Sequence, residues 1–592
     1  MIGGARRRSA ACGVLAVLLW ACWLPAARAD DPLATAAPAA ATAAPDARAI
    51  APPPRLRAAV PRQAAIASAH PLASKAGEEI LAKGGNAFDA AVAISAALAV
   101  VEPSSSGLGG GGFYLLHRAR DGFETMLDAR ETAPAAATRD MYLDAKGAPV
   151  AGASTIGPLA AAIPGEPAGF EHLAARYGKL PLAVSLAPAI RLAREGFPMN
   201  PRLQGGIKRK AEILRRWPQT ARIFLARGEA PALGALIRQP DLALTLEAIA
   251  KQGAKGFYSG AVARELVRSV HAGGGIWTLA DLSSYRVAER KPLVGEYRGA
   301  RIVAAPPPSS GGVALLDALN ILAGVDLAQG PPVTRKHWII EAMQRVFRDR
   351  AIYLGDPDFV KVPVDLLTNP AYAAGQRASM RSDKAMPSDL LPGIAESGGG
   401  RDTTHFSVLD REGNRVAATI SVNQWLGSGF VAGRTGVVLN NTMDDFSKKP
   451  GVPNGFGLIG ADANAIAGGK RSLSSMSPTF VETSRGMMII GSPGGSFIIS
   501  QVLEGTLNYL DGMDAAGIVK APRYHHQFSP DVVDYETGAF TPDELKELQA
   551  RGHHLEAFER GWGNMQVVTW DYASGKVEAA SDPRGIGEGL VY

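Results

Sequence analysis

Cysteine is nearly absent from this sequence: 592 residues hold two, Cys12 and Cys22. Both fall in an N-terminal stretch built like a cleaved export signal. Arg6-Arg7-Arg8 is basic, residues 10–24 are mostly apolar, and Ala27-Arg28-Ala29 offers a small-x-small cleavage site. The apolar run is short for a membrane span of about 20 residues, so residues 1–29 are expected to be removed. What remains would have no cysteine, which excludes a disulfide, a thiolate nucleophile and a cysteine-bound metal. Excess charge of one sign is also lacking. Arg6, Arg7, Arg8 and Arg28 carry four of the formal charges, and removing them from +6 leaves +2. Nothing there calls for nucleic acid or an anionic membrane as partner. No later apolar run is long enough to cross a bilayer, and no G-x-S-x-G elbow occurs, which argues against an α/β-hydrolase. The pairs His525-His526 and His553-His554 are adjacent in sequence, so their side chains diverge, unlike metal-binding H-E-x-x-H. No metal and no cofactor are expected.

The sequence does have abundant material for a core, with 46% hydrophobic residues. Residues 30–61 are Ala/Pro-rich and aperiodic, a disordered leader. Two helices are expected over 76–101, broken at Gly84-Gly85-Asn86, the second apolar nearly all round and therefore buried. Gly107-Leu108-Gly109-Gly110-Gly111-Gly112 satisfies G-x-G-x-x-G, but a helix precedes it and a strand follows. That is the wrong order for a dinucleotide site, so the loop is read as a close backbone contact. Strands are expected at 113–116 and 123–128, with Arg130 at the end of the second. Helices follow over much of 166–274, strand character returns at 293–305, and helices at 313–322 and 336–353 lead into loop-rich sequence up to 401. Short strands are expected at 403–409, 416–422, 436–440, 479–482 and 487–490. Residues 449–464 read as a long loop able to act as a lid, 497–510 and 542–551 as helices, and 563–580 as a closing hairpin. Helices flanking two groups of strands suggest an α+β fold, a four-layer αββα sandwich.

One junction stands out chemically. Ser397-Gly398-Gly399-Gly400-Arg401 cannot hold regular structure, yet Asp402-Thr403-Thr404-His405-Phe406-Ser407 runs straight into a strand. A threonine at a strand start behind a mobile Asp could attack the Asp402 carbonyl, shift the acyl group from N to O, and let water cut the ester. Its exposed α-amine, with a reference pKa of about 7.7–8.0, would then serve as base for its own hydroxyl. On the peptide alone, an ordinary Thr-rich strand edge is the favoured reading, as is a surface ion pair for Arg130. Ser474-Ser475 reads either as a plain turn or as a pair of hydroxyl donors for a carboxylate. Backbone N–H groups at Gly494-Gly495, where a helix opens, form a candidate oxyanion site.

These motifs together resemble the γ-glutamyltransferases of the N-terminal-nucleophile hydrolase superfamily. Thr403-Thr404-His405-x-Ser407, Leu439-Asn440-Asn441-x-Met443-Asp444-Asp445-Phe446, Leu473-Ser474-Ser475-Met476-Ser477-Pro478 and Gly491-Ser492-Pro493-Gly494-Gly495-Ser496 occur in the family's order, and the likeness runs from about His70 to Tyr592. The resemblance implies autocleavage between Asp402 and Thr403, giving a large subunit over 62–402 and a small catalytic one over 403–592. It implies Thr403 as nucleophile, Gly494 and Gly495 as oxyanion donors, Arg130, Ser474 and Ser475 on the substrate α-carboxylate, and Asn423 and Asp445 on its α-ammonium. Expected substrates are γ-glutamyl compounds such as glutathione, with amino acids or dipeptides as acceptors. Two positions depart from the family pattern. Ser421 replaces a usual Thr and keeps the hydroxyl; Thr442 replaces Gln or Glu at a contact to the substrate amine. Phe456 holds a lid position often filled by Tyr. The Thr442 departure leaves a same-fold acylase for glutaryl or other amides as an alternative; a catalytically silent binding protein is another.

Overall fold

The strand Thr404–Leu409 is buried at every residue, and what covers its two faces defines the architecture. Phe406 and Val408 enter one apolar layer, Leu409 the other, as the period of two requires. The computed structural model describes residues 60–391, 403–559 and 561–592. The expected export signal, the leader up to residue 59 and Asp402 lie outside the described residues.

Thr404–Leu409 sits third in a seven-stranded antiparallel sheet. Its order is Glu588–Val591, Ala65–Ser68, Thr404–Leu409, Arg415–Ser421, Gly111–Arg118, Phe123–Asp128 and Ala288–Arg290. A second antiparallel sheet runs Val577–Ser581, Gln566–Asp571, Gly486–Gly491, Thr479–Glu482, Ala300–Ala304 and Leu293–Tyr297. Ala87–Val101 covers the outer face of the first sheet, with Leu182–Glu195 packed on that helix. Gly311–Ala323 and Phe497–Leu510 cover that of the second, with Pro332–Tyr353 packed on Gly311–Ala323. The result is helix, sheet, sheet, helix, as expected. Among the described residues no helix is long and apolar enough to cross a membrane.

Local chemistry explains most boundaries. Asn86 caps Ala87–Val101 through a capping box with Asp89, and all fifteen residues of that helix are buried, matching its unbroken apolarity. Residues 293–305 fold as two strands, because Arg298 and Gly299 take left-handed conformations (φ 50° and 76°) that reverse the chain. Residues 436–440 do not form the expected strand. Gly109 approaches so closely that a Cβ there would lie 2.0 Å from the Val438 carbonyl oxygen, and only isolated bridges form, Gly109 with Leu439 and Val431 with Val438. The strands after Thr403 are split between the two sheets.

A buried carboxyl lies in the outer layer. The Ser95 and Tyr114 hydroxyls donate to Glu166 Oε1, and burial pushes Glu166 up to about 7. The folded chain thus holds this proton more tightly than the unfolded chain, whose carboxyl titrates near 4.5. The stabilisation is full below about pH 4.5 and lost as pH rises to about 7, on the order of 3 kcal/mol in all. Glu166→Gln, fixed in the neutral form, should gain stability relative to the parent between pH 5 and pH 8. Parallel thermal melts at the two pH values check this; a gap that does not change with pH would refute it.

Candidate active site

Thr403 heads the strand Thr404–Leu409 and is buried. Antiparallel pairing sets Thr404 against Ile420, and one more step in that register places Ser421 opposite Thr403. The Ser421 hydroxyl donates to Thr403 Oγ1 at 3.4 Å and accepts the Asn423 N–H at 2.8 Å. Asn423 takes φ 77°, a conformation that Asn tolerates better than most residues, and its amide donates to the Asn441 carbonyl at 2.9 Å. The glycine-rich loop holds this corner from behind. A Cβ on Gly110 would fall 2.0 Å from the Ser421 carbonyl oxygen, so the loop serves as the close backbone contact its sequence suggested.

His405, two residues along, is not the base. It is fully buried, meets Thr419 Oγ1 at 2.8 Å and Ser407 Oγ at 3.2 Å, and burial lowers it to about 3. It stays neutral and packs against Gly491 of the facing sheet.

Thr403 and Ser421 open on a cleft enclosing about 20 Å³. Arg130, Asn423, Asp445, Ser474, Ser475 and Gly495 also line it. Phe456 and Leu458, from the segment expected to be a lid, also line it. Arg130 is 2% exposed, not the surface ion pair that its strand end alone suggested. It donates to Ser472 Oγ at 3.0 Å and pairs with Asp445 and, at 3.6 Å, with Glu131. Burial raises Asp445, against the pull of Arg130. The two charges expected to grip opposite signs of a zwitterion are thus neighbours, as an α-carboxylate and α-ammonium on one carbon require.

Gly494 and Gly495 have φ of 136° and 57° just before the helix Phe497–Leu510, conformations suited to glycine. Among the described residues neither N–H has a backbone acceptor. Gly495 lines the cleft; Gly494 lies one residue behind it. Thr442 is displaced from its expected place. It is off the cleft wall, and its hydroxyl donates to buried Glu131 at 2.8 Å, because the short helix Thr442–Asp445 turns it inward. Sequence reasoning missed Arg350, whose guanidinium joins the cleft wall.

Of the histidine pairs, His553 meets His337 at 2.7 Å, with Glu341 alongside. These three could reach one cation, but Glu341 already accepts Arg345 and the Met386 N–H, and the two rings satisfy each other.

The gamma-glutamyltranspeptidase family profile matches residues 73–592. The chain belongs to that family. It is 43% identical over 530 residues to the glutathione hydrolase proenzyme of Escherichia coli (strain K12), covering 88% of this chain and 91% of that one. It is 37% identical to the acylase ACY 1 proenzyme of Pseudomonas sp. (strain V22), over 86% and 89% of the two chains. The cephalosporin acylase of Bacillus halodurans superposes with a TM-score of 0.79 at 29% identity, covering 93% of this chain and 99% of that one. The layered fold is therefore that of the N-terminal-nucleophile hydrolases.

The backing loop gives a test within this family member. Gly110→Ala must push the Ser421 backbone aside, an overpacking cost of about 1–3 kcal/mol, and should lower amide turnover with it. Gly205→Ala, inside the helix Pro201–Arg215 with nothing within 4 Å, should gain up to about 1 kcal/mol in stability and leave turnover unchanged. Denaturant melts and initial rates on the two variants decide; equal behaviour would refute the role of the loop.

Proposed function

We propose that this chain is an exported γ-glutamyltransferase and glutathione hydrolase, autoprocessed between Asp402 and Thr403. The observation that carries the reading is the grouping of Thr403 with Arg130, Asp445, Ser474 and Ser475 around one cleft. A hydroxyl nucleophile then lies beside groups matched to an amino-acid head.

In maturation the Thr403 hydroxyl adds to the Asp402 carbonyl, the peptide C–N bond breaks, and water hydrolyses the resulting ester. The large subunit would end at Asp402 and the small one begin at Thr403. In catalysis the Thr403 α-amine takes the hydroxyl proton as Oγ1 attacks the γ-carbonyl. The N–H groups of Gly494 and Gly495 receive the oxyanion, with Ser421 orienting Oγ1. The protonated amine returns its proton to the leaving nitrogen, such as that of Cys-Gly, and a γ-glutamyl ester remains on Thr403. Water, an amino acid or a dipeptide takes the acyl group in the second half of a ping-pong cycle. Arg130 and the two serines hold the α-carboxylate; Asn423 and Asp445 hold the α-ammonium. No step needs a metal or cofactor.

A second reading has a specific observation behind it. Thr442 faces Glu131 instead of the cleft, so one expected contact to the substrate amine is lost. A glutaryl or other acyl amide, which has no amine, would lose nothing. Rates on γ-glutamyl and glutaryl anilides separate the two readings: a preference for the glutaryl compound would overturn the first.

Thr403→Ala is expected to remain a single uncut chain without turnover, whereas the parent shows two bands. Mass spectrometry of the purified parent should place a new N-terminus at Thr403 and any γ-glutamyl-like inhibitor adduct on the same residue. An active protein intact across 402–403 would refute the mechanism.

A further inference from the structure

The helix Pro332–Tyr353 carries three buried or half-buried arginines in its second half. Arg345 pairs with Glu341 at 2.9 Å and Arg348 with Asp349. Arg350 differs. It is 5% exposed, yet among the described residues no carboxylate lies within 4.0 Å of it. Its Nε donates to Ser310 Oγ at 3.0 Å and its Nη2 to Ser475 Oγ at 3.2 Å. Both partners are neutral hydroxyls. Desolvation accordingly lowers the guanidinium to about 10. Asp445 acts on it from beyond ion-pair distance and is already paired with Arg130, so this buried cation has no carboxylate of its own, and it stands in the wall of the cleft that holds Thr403.

The surrounding bonds indicate what would offset that cost. Arg130 is already bracketed by Asp445 and Glu131. Ser310 Oγ donates to the Ser474 carbonyl at 2.7 Å, which fixes the Ser310–Arg350 end. Ser475 Oγ accepts from Arg350 and so directs its own proton elsewhere, and Ser475 is itself a cleft residue. A guanidinium N–H and a hydroxyl proton side by side match the two lone-pair edges of a carboxylate.

We propose that Arg350 is a specificity-determining residue, a second guanidinium that binds the carboxylate of the acyl donor together with Ser475 while Arg130 takes the other side. This rests on the γ-glutamyl reading only in requiring a donor with a carboxylate at that end. The residue then sets the preference for carboxylate-bearing donors rather than the rate of the chemical step.

The test compares γ-glutamyl p-nitroanilide with 4-aminobutanoyl p-nitroanilide, the same chain without its carboxylate, on the matured parent, Arg350→Lys and Arg350→Met. For the carboxylate donor, Arg350→Met should lose roughly 10- to 100-fold in kcat/KM, mostly through KM. Arg350→Lys should fall between, since it keeps charge but not the fork. For the carboxylate-free donor both variants should match the parent within about twofold. Added guanidinium chloride at millimolar level should restore part of the Arg350→Met loss. Equal losses on both donors, or an unchanged KM for the first, would overturn the assignment and leave the γ-glutamyl reading standing. A parent that shows no preference for the carboxylate donor would overturn both. If Arg350→Met fails to mature, Arg350→Lys decides on the same criteria.

Discussion

The register between Thr404–Leu409 and Arg415–Ser421 is the constraint on which the site depends. Side chains alternate along a strand, so a slip of one residue would turn Thr403 and Ser421 out of the seam between the sheets and into the helical layer. Several features hold the register. Ile420 and Val408 are fully buried on the helical side, and a shift would exchange them for His405 and Thr419. Gly110 and Gly112 approach the Ser421 and Thr419 carbonyls more closely than any Cβ would permit, so the neighbouring strand also locks onto one alignment.

The seam between the sheets is unusually polar next to Thr403. His405, Ser407 and Thr419 bond one another, and Ser407 donates across to the Gln566 carbonyl. Buried polar groups cost little only when satisfied. A connected cluster therefore specifies how the two sheets face each other at the one place where a misalignment would spoil the site. Farther along the same seam the contacts become apolar, with Leu409, Phe480 and Ile489 in one layer.

Much of this was legible in the sequence. The strand at Thr479–Glu482 and the helix Phe497–Leu510 begin and end where periodicity placed them, and Thr403, Ser421, Asn423, Asp445, Arg130 and the serine pair do meet in one cleft. Arg350 was not legible. It ends the run Arg345-Val346-Phe347-Arg348-Asp349-Arg350, whose charge density reads as a solvated helix face; only the fold brings Ser310 and Ser475 over it. Thr442 was placed by its neighbours in the motif, but the direction of a side chain within one tight turn is a property of backbone geometry that spacing does not encode. The strands Ala65–Ser68 and Glu588–Val591 escaped notice because each is four residues long and completes its pairing only with the far end of the chain.

That last pairing has a topological consequence. Strands from before and after residue 403 alternate within one hydrogen-bonded ladder: Glu588–Val591, then Ala65–Ser68, then Thr404–Leu409 and Arg415–Ser421, then Gly111–Arg118. A backbone break at 402–403 therefore severs no rung. The two fragments would remain woven through each other, separable only by dismantling the sheet, and once parted neither would keep a template on which to rebuild it.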